Sequence, residues 1–375
     1  MSNAHQEAIK QFLSLMETAE VLFNVGYPGL QNMHQGYPTE ALVRFLKARD
    51  WNVQKAHKML IDCLQWRILN EIDNILAKPI IPTDLYRAVR DSQLVGLSGY
   101  SKEGLPVIAI GVGLSTYDKA SVNYYVQSHI QMNEYRDRVV LPTATEKYGR
   151  HISTCLKVLD MTGLKLSALN QIKSSHFLHR KASKKVNQWK RKFCAHYCAN
   201  PRLPNADQSP VLLMQILTTI STIDDLNYPE KTQTYYIVNA PYIFSACWKT
   251  VKPLLQERTK RKIQVLQGSG KDELLKIMDY SSLPHFCRKE GSGSTRHSSN
   301  GTADNCFSLD HTYHQQLYTY IKHQATHKET NSPIKQGSVH VEFPEPDPDD
   351  TAIALTIESK LHKLADQNGL KVNGV

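Results

Sequence analysis

Leu105-Pro106-Val107-Ile108-Ala109-Ile110-Gly111 is a short apolar run closed by glycine, and it reads as a buried β-strand. Residues 154–160 read the same way, as does Thr234-Tyr235-Tyr236-Ile237-Val238-Asn239. Residues 261–266 are a fourth candidate. Helical patterns lie between these runs, most plainly over residues 119–140. Strand alternating with helix argues for an α/β layer, and that decides the fold class.

Upstream of this layer the periodicity is helical. Residues 5–24 place Ile9, Phe12, Leu13, Met16, Ala19 and Leu22 at helical spacing, and the Gly- and Pro-rich stretch 26–38 breaks the pattern. A helix follows from Thr39 through Leu42, Phe45 and Leu46. Asp50-Trp51-Asn52 then turns the chain into another helix over residues 53–70. These residues predict a helical module over 1–84 and an α/β domain over 85–290. After Arg288 the chain becomes Gly-, Ser- and Asn-rich, too polar to bury a core. Residues 291–375 are therefore expected to be a largely disordered tail, with a short surface helix at 351–367.

The chain has 375 residues, 41% of them hydrophobic, and no apolar run long enough to span a bilayer. Its N-terminus lacks the basic-then-apolar build of a signal peptide. Seven cysteines without a repeating spacing fit reduced thiols in the cytoplasm. The formal charge is +10, but it is not spread evenly. Between Ser174 and Gln215 eight basic residues face a single acid, Asp207, a net +7 in one block. Without it the chain is nearly balanced.

Several stretches are together similar to one family. They are Arg44-Phe45-Leu46-Lys47-Ala48-Arg49, Val158-Leu159-Asp160-Met161-Thr162-Gly163, Asn227-Tyr228-Pro229-Glu230, the run Tyr235 to Pro241, and Lys252-Pro253-Leu254-Leu255. In order and spacing they resemble the CRAL-TRIO family, specifically its secretory phosphatidylinositol/phosphatidylcholine transfer branch. The resemblance implies a bowl with a mixed sheet as floor, helices as walls and one long gate helix. Here the gate falls at residues 242–251, with Phe244 and Trp248 suited to a membrane interface. It also implies that Arg49, Glu230, Thr259 and Lys262 hold the inositol phosphate headgroup. Lys262 would contact the phosphate, Arg49 would order or neutralise the site, Thr259 would offer a hydroxyl, and Glu230 would accept from inositol hydroxyls or orient the lysine.

The second lipid is less well marked. Members that bind phosphatidylcholine place small hydroxyls on the strand before the Asp-x-x-Gly turn, whereas this chain has Cys155 and Lys157 there. Tyr135 is the candidate second-lipid contact, through cation–π attraction. The resemblance is interrupted once. Deleting 174–215 would join Ile172 to Ile216 and Ile220 on one apolar helical face, so the basic block is expected to be foreign to the fold.

No Gly-x-Ser-x-Gly elbow and no His-Glu-x-x-His occurs, so the reading is not an enzyme, with no cofactor and no metal. The expectation is a monomeric carrier of phosphatidylinositol, with phosphatidylcholine left open. It would work peripherally at cytoplasmic membrane faces such as the Golgi or plasma membrane and support phosphoinositide metabolism and vesicle traffic. No nucleic-acid partner is expected. The alternatives are a protein that grips nucleic acid or an anionic surface through the basic block, and an inactive splice form of a lipid-transfer protein.

Overall fold

The computed structural model describes residues 2–22, 28–164, 209–241, 244, 257–288 and 304–327. Its N-terminal module holds α1 (Asn3–Leu22), α2 (Pro28–His34), α3 (Pro38–Ala48) and α4 (Val53–Leu69). Phe12, Met16, Leu42, Phe45, Leu46, Met59 and Leu60 form one cluster between them. The turn into α4 follows from its residues. Asp50 and Trp51 take positive φ, and the Asn52 side chain accepts from the Lys55 N–H at 3.0 Å, capping the helix. The expected break at 26–38 contains α2, a helix whose opening Pro28-Gly29 gave no helical signal.

A 3₁₀ turn (Ile72–Ala77) and α5 (Thr83–Ser92) lead into the sheet. Its strands are β1 (Val95–Tyr100), β2 (Pro106–Gly111), β3 (Cys155–Asp160), β4 (Thr232–Val238) and β5 (Ile263–Val265). They lie in the order β1-β2-β3-β4-β5, with β1 antiparallel to β2 and the remaining pairs parallel. The mixed α/β sheet expected from the sequence is therefore present, with β1 added at its edge.

The expected helix over 119–140 is three pieces. They are α6 (Val122–Tyr135), a π-helical turn (Arg136–Val140) and α7 (Leu141–Tyr148). Beyond β3 come α8 (Ser209–Asn227), α9 (Glu257–Lys262), α10 (Lys271–Leu275), α11 (His285–Arg288) and α12 (Thr312–His327).

Two expectations are corrected. First, α8 begins at Ser209, so Ser209-Pro210-Val211-Leu212-Leu213-Met214-Gln215 are helix rather than foreign block. The apolar run Val211 to Met214 extends the helix backwards, while all eight basic residues lie before it. Second, residues 304–327 are folded, not tail. Tyr313, Leu317 and Ile321 recur every four residues and bury against Tyr135, Val126, Ile130 and the 3₁₀ turn. The expected helix at 351–367 lies outside the described residues.

The two faces of the sheet differ. Val107, Leu156, Val158, Tyr236 and Val238 pack with Leu141, Leu274, Met278 and Leu283 in one closed layer. Strand alternation gives the opposite face two rows across β2 to β5, Ile110-Leu159-Ile237-Val265 and Ile108-Lys157-Tyr235-Ile263. Ile108 and Ile237 are buried, while Ile110, Leu159, Tyr235, Ile263 and Val265 are only partly buried, and none of these seven joins a hydrophobic cluster among the described residues.

A candidate headgroup site on a buried ionic frame

Glu230 sits just before β4, on the turn after Tyr228-Pro229, with φ +58° in the left-handed region. Lys262 ends α9 and directly precedes β5, whose Ile263 pairs with Tyr235 of β4. Neighbouring strands thus bring the two side chains together. The Lys262 Nζ lies 2.7 Å from the Glu230 Oε2, with the lysine 25% and the glutamate 14% exposed. A charge-assisted bond that keeps this much access leaves lysine donors facing outward for an anionic group.

Among the other expected residues, Thr259 stands one helical turn before Lys262 in α9, and its side chain is outside the described set. Arg49 is the C-cap of α3, in the helical module, and its Nη1 donates to the Ala48 carbonyl at 3.0 Å. The described contacts join Glu230 to Lys262 but do not bring Arg49 to them. Phe244 is half-buried and its N–H donates to the Pro241 carbonyl at 2.8 Å. Trp248 and the rest of the expected gate lie outside the described residues. Tyr135 is buried, edge-on to Tyr313 and Tyr320 at centroid distances of 6.1 and 5.4 Å, so its ring packs against the helix α12.

Sequence reasoning missed the ionic frame beneath this site. Arg67 of α4 is 2% exposed and grips both oxygens of Glu134, at 2.8 and 3.0 Å, and Asp73 at 2.6 Å. The Tyr228 hydroxyl donates to Glu134 at 2.7 Å, and Arg138 adds a further pair. The helical module is thereby tied to α6 and to the turn that carries Glu230. Burial alone would raise the Glu134 carboxyl, but Arg67 and Arg138 hold it below the usual range.

Asp137 of the π turn pairs with Arg136 at 2.7 Å and with Lys231 at 3.1 Å. Burial opposes its charge too, but these two cations hold the carboxyl well below the ordinary range. Lys231 goes the other way. Burial, aided by Arg44 and Arg136 and only partly opposed by Asp137, pushes it down to about 7. In Glu134-Tyr135-Arg136-Asp137-Arg138 the alternating charges look like a solvated helix face. Only the burial of both faces of that segment distinguishes them.

A second ionic group lies on the open side of the sheet. Asp224 of α8 binds His129 at 2.7 Å and Asn133 at 2.8 Å, and stands 3.5 Å from Lys157 of β3. Lys157 also faces the Tyr235 ring at 5.6 Å. The strand that carries hydroxyls in phosphatidylcholine-binding members thus carries an ion pair here. Among the described residues no helix is long and apolar enough to cross a membrane, and no group of His, Cys, Asp and Glu could hold a metal.

Comparison with known proteins finds related sequences along both parts of the chain. The family model "CRAL/TRIO, N-terminal domain" matches residues 8–62, and "CRAL/TRIO domain" matches residues 205–287. The chain is 27% identical over 268 residues to phosphatidylinositol/phosphatidylcholine transfer protein SFH9 of Arabidopsis thaliana, covering 69% of this chain and 39% of that protein. It is 28% identical over 297 residues to the CRAL-TRIO domain-containing protein T23G5.2 of Caenorhabditis elegans, covering 76% of this chain and 35% of that one. The chain therefore spans less than two-fifths of the length of these two relatives. The crystal structure of Sfh5 aligns with a TM-score of 0.45 at 15% identity, over 72% of this chain and 84% of Sfh5.

Proposed function

Because the chain belongs to the CRAL-TRIO family, we propose that it shelters phosphatidylinositol in an apolar cavity and exchanges or presents it at membrane surfaces. One observation carries this reading. The sheet face bearing Ile110, Leu159, Tyr235, Ile263 and Val265 is apolar apart from Lys157 and only partly covered, and the Lys262–Glu230 pair stands at its β4–β5 edge. Two acyl chains need on the order of 20 kcal/mol of apolar shelter at about 0.8 kcal/mol per methylene, which a half-covered sheet face is suited to supply. A lysine at its rim supplies charge where a headgroup phosphate would emerge. SFH9, by its name, transfers phosphatidylinositol and phosphatidylcholine, which supports the same ligand class here.

In this reading Lys262 takes the phosphate, and Glu230 orients the lysine or accepts from inositol hydroxyls. Thr259 and Arg49 complete the site, and Phe244 and Trp248 belong to the gate. The protein acts as a monomeric, non-catalytic carrier at cytosolic membrane faces. Phosphatidylcholine stays open as a second ligand, with Lys157, paired to Asp224, standing where a hydroxyl was expected. The test is phosphatidylinositol transfer between vesicles. Lys262→Ala should lower the transfer rate by about tenfold or more, the loss of one charge-assisted bond, while leaving the unfolding midpoint in place. Unchanged transfer would remove Lys262 from the site, and no transfer by the unaltered chain would overturn the reading.

A further inference from the structure

A small cavity lies where α3, α4, the π turn and the segment Asn227 to Lys231 meet, lined by Arg44, Arg67, Lys231, Glu134 and Asp137. Its two carboxylates are already engaged. Glu134 accepts from Arg67, Arg138 and Tyr228, and Asp137 from Arg136 and Lys231. Arg44 is the cation left over. It is 8% exposed and makes one bond, from Nη2 to the Met33 carbonyl at 3.3 Å, and its Nε has no partner. The nearby carboxylate Glu40 is paired with His151 instead. Among the described residues no carboxylate lies within ion-pair distance of Arg44, although Asp137 and Glu40 act on it from further away, and a guanidinium cannot shed its charge to escape burial.

We propose that this cavity is a binding site for one small inorganic anion of chloride size, held between Arg44 and the ammonium of Lys231. Size selects the ligand class. The space admits about one water-sized particle, which excludes a phosphate ester or an inositol ring. The site is thus separate from the headgroup position, although one peptide bond links Lys231 to Glu230. An anion there neutralises the surplus positive charge where the helical module meets the sheet domain, and locks the two together. The π turn fits this role, since it sets Asp137 in the cavity wall with Arg136 buried and paired to it. The depressed basicity of Lys231 is what a surplus of cations produces, and a bound anion would relieve it.

The test compares unfolding midpoints of the full chain in chloride and in gluconate at equal ionic strength, since gluconate is too large for the cavity. Chloride should raise the midpoint saturably, by about 2–4 °C, more at pH 6 than at pH 8.5, where Lys231 loses its proton. Lys231→Met should abolish the chloride-specific rise. Crystals of the unaltered chain grown in bromide should show one anomalous peak between Arg44 and Lys231, a readout that needs no variant. Equal midpoints in both salts with no bromide peak would mean that water alone fills the cavity, and a chloride effect that persists in Lys231→Met would place the anion elsewhere. Either result overturns the proposal, and neither bears on lipid transfer.

Discussion

Arg67 and Lys58 lie nine positions apart on one helix, yet their ion pairs differ in kind. Lys58 meets Asp62 at 2.8 Å with side chains 77% and 56% exposed, and such pairs contribute about 0–1 kcal/mol. Arg67 meets Glu134 with both side chains 2% exposed, so removing it leaves a buried carboxylate with only Arg138 and the Tyr228 hydroxyl. Arg67→Ala should cost about 3–5 kcal/mol in equilibrium denaturation, and Lys58→Ala under about 1 kcal/mol. Comparable losses would show that the frame is hydrated. The residue scale is also where sequence reading reaches its limit. Arg44 and Arg49 share one recognisable stretch, but nothing in it says that Arg44 is buried while Arg49 caps the helix. That difference is set by Met33, eleven positions before Arg44, and by Asp137 and Lys231, far away along the chain. Glu230 and Lys262 could be picked out by resemblance. Their 2.7 Å contact depends on β4 and β5 being neighbours, which no local pattern records.

At the level of elements, legibility follows how much of the signal is local. Strands β2, β3 and β4 are dense apolar runs because helices or neighbouring strands cover them, and they were readable for that reason. Strand β1 was not, because Gly96 and Gly99 interrupt it. Both glycines are required by packing, since an added Cβ would strike the Cys306 carbonyl at one and Ser282 at the other. The same contact explains why α12 was hidden. Its buried Tyr313, Leu317 and Ile321 are diluted by His and Gln, and the segment leading to it is anchored by His314, which bonds the Cys306 carbonyl and Arg90 at 3.0 Å each. Leu317 is 1% exposed. Leu317→Ala should therefore cost about 2–5 kcal/mol in denaturant unfolding, whereas a dispensable tail would show no change. The basic block offers a second test at this scale. Removing residues 174–204 spares both α8 and the family match that begins at residue 205. Removing 174–215 also deletes the first seven residues of α8. The shorter deletion should keep a helical circular-dichroism signal and unfolding midpoint close to those of the full chain, and the longer one should lower the midpoint. Equal midpoints would mean that Ser209 to Gln215 add nothing to the fold.

For the whole molecule, the buried ionic groups combine into a dependence of stability on pH whose sign can be worked out. Glu134, Asp137 and Asp224 have folded values below their ordinary ones, so their contribution is complete above about pH 4.5 and disappears as acid protonates them. Burial and Arg90 hold His314 neutral in the fold, so it costs stability below its ordinary value of 6.5, where the unfolded chain takes up the proton. Lys231 acts in a higher window. Its folded value is about 7 and its ordinary value 10.5, so between these the unfolded chain binds more protons and stability rises with pH. One such group gives a slope of about 1.4 kcal/mol per pH unit. Opposing it are three buried thiols, with Cys63 and Cys306 raised to about 12 and Cys287 raised as well, which the unfolded chain deprotonates above about pH 9. Three groups outweigh one, so the slope must reverse there. Stability in reductant should climb from pH 7, peak near pH 8–9 and fall beyond it, as read from denaturant midpoints. Lys231→Met should flatten the climb and leave the fall in place. Saturating chloride, by keeping Lys231 protonated, should shift the climb to higher pH in the unaltered chain alone. A flat profile between pH 7 and 8.5 in gluconate would show that Lys231 keeps its ordinary basicity, and with it that the interface between the helical module and the sheet carries no surplus of positive charge.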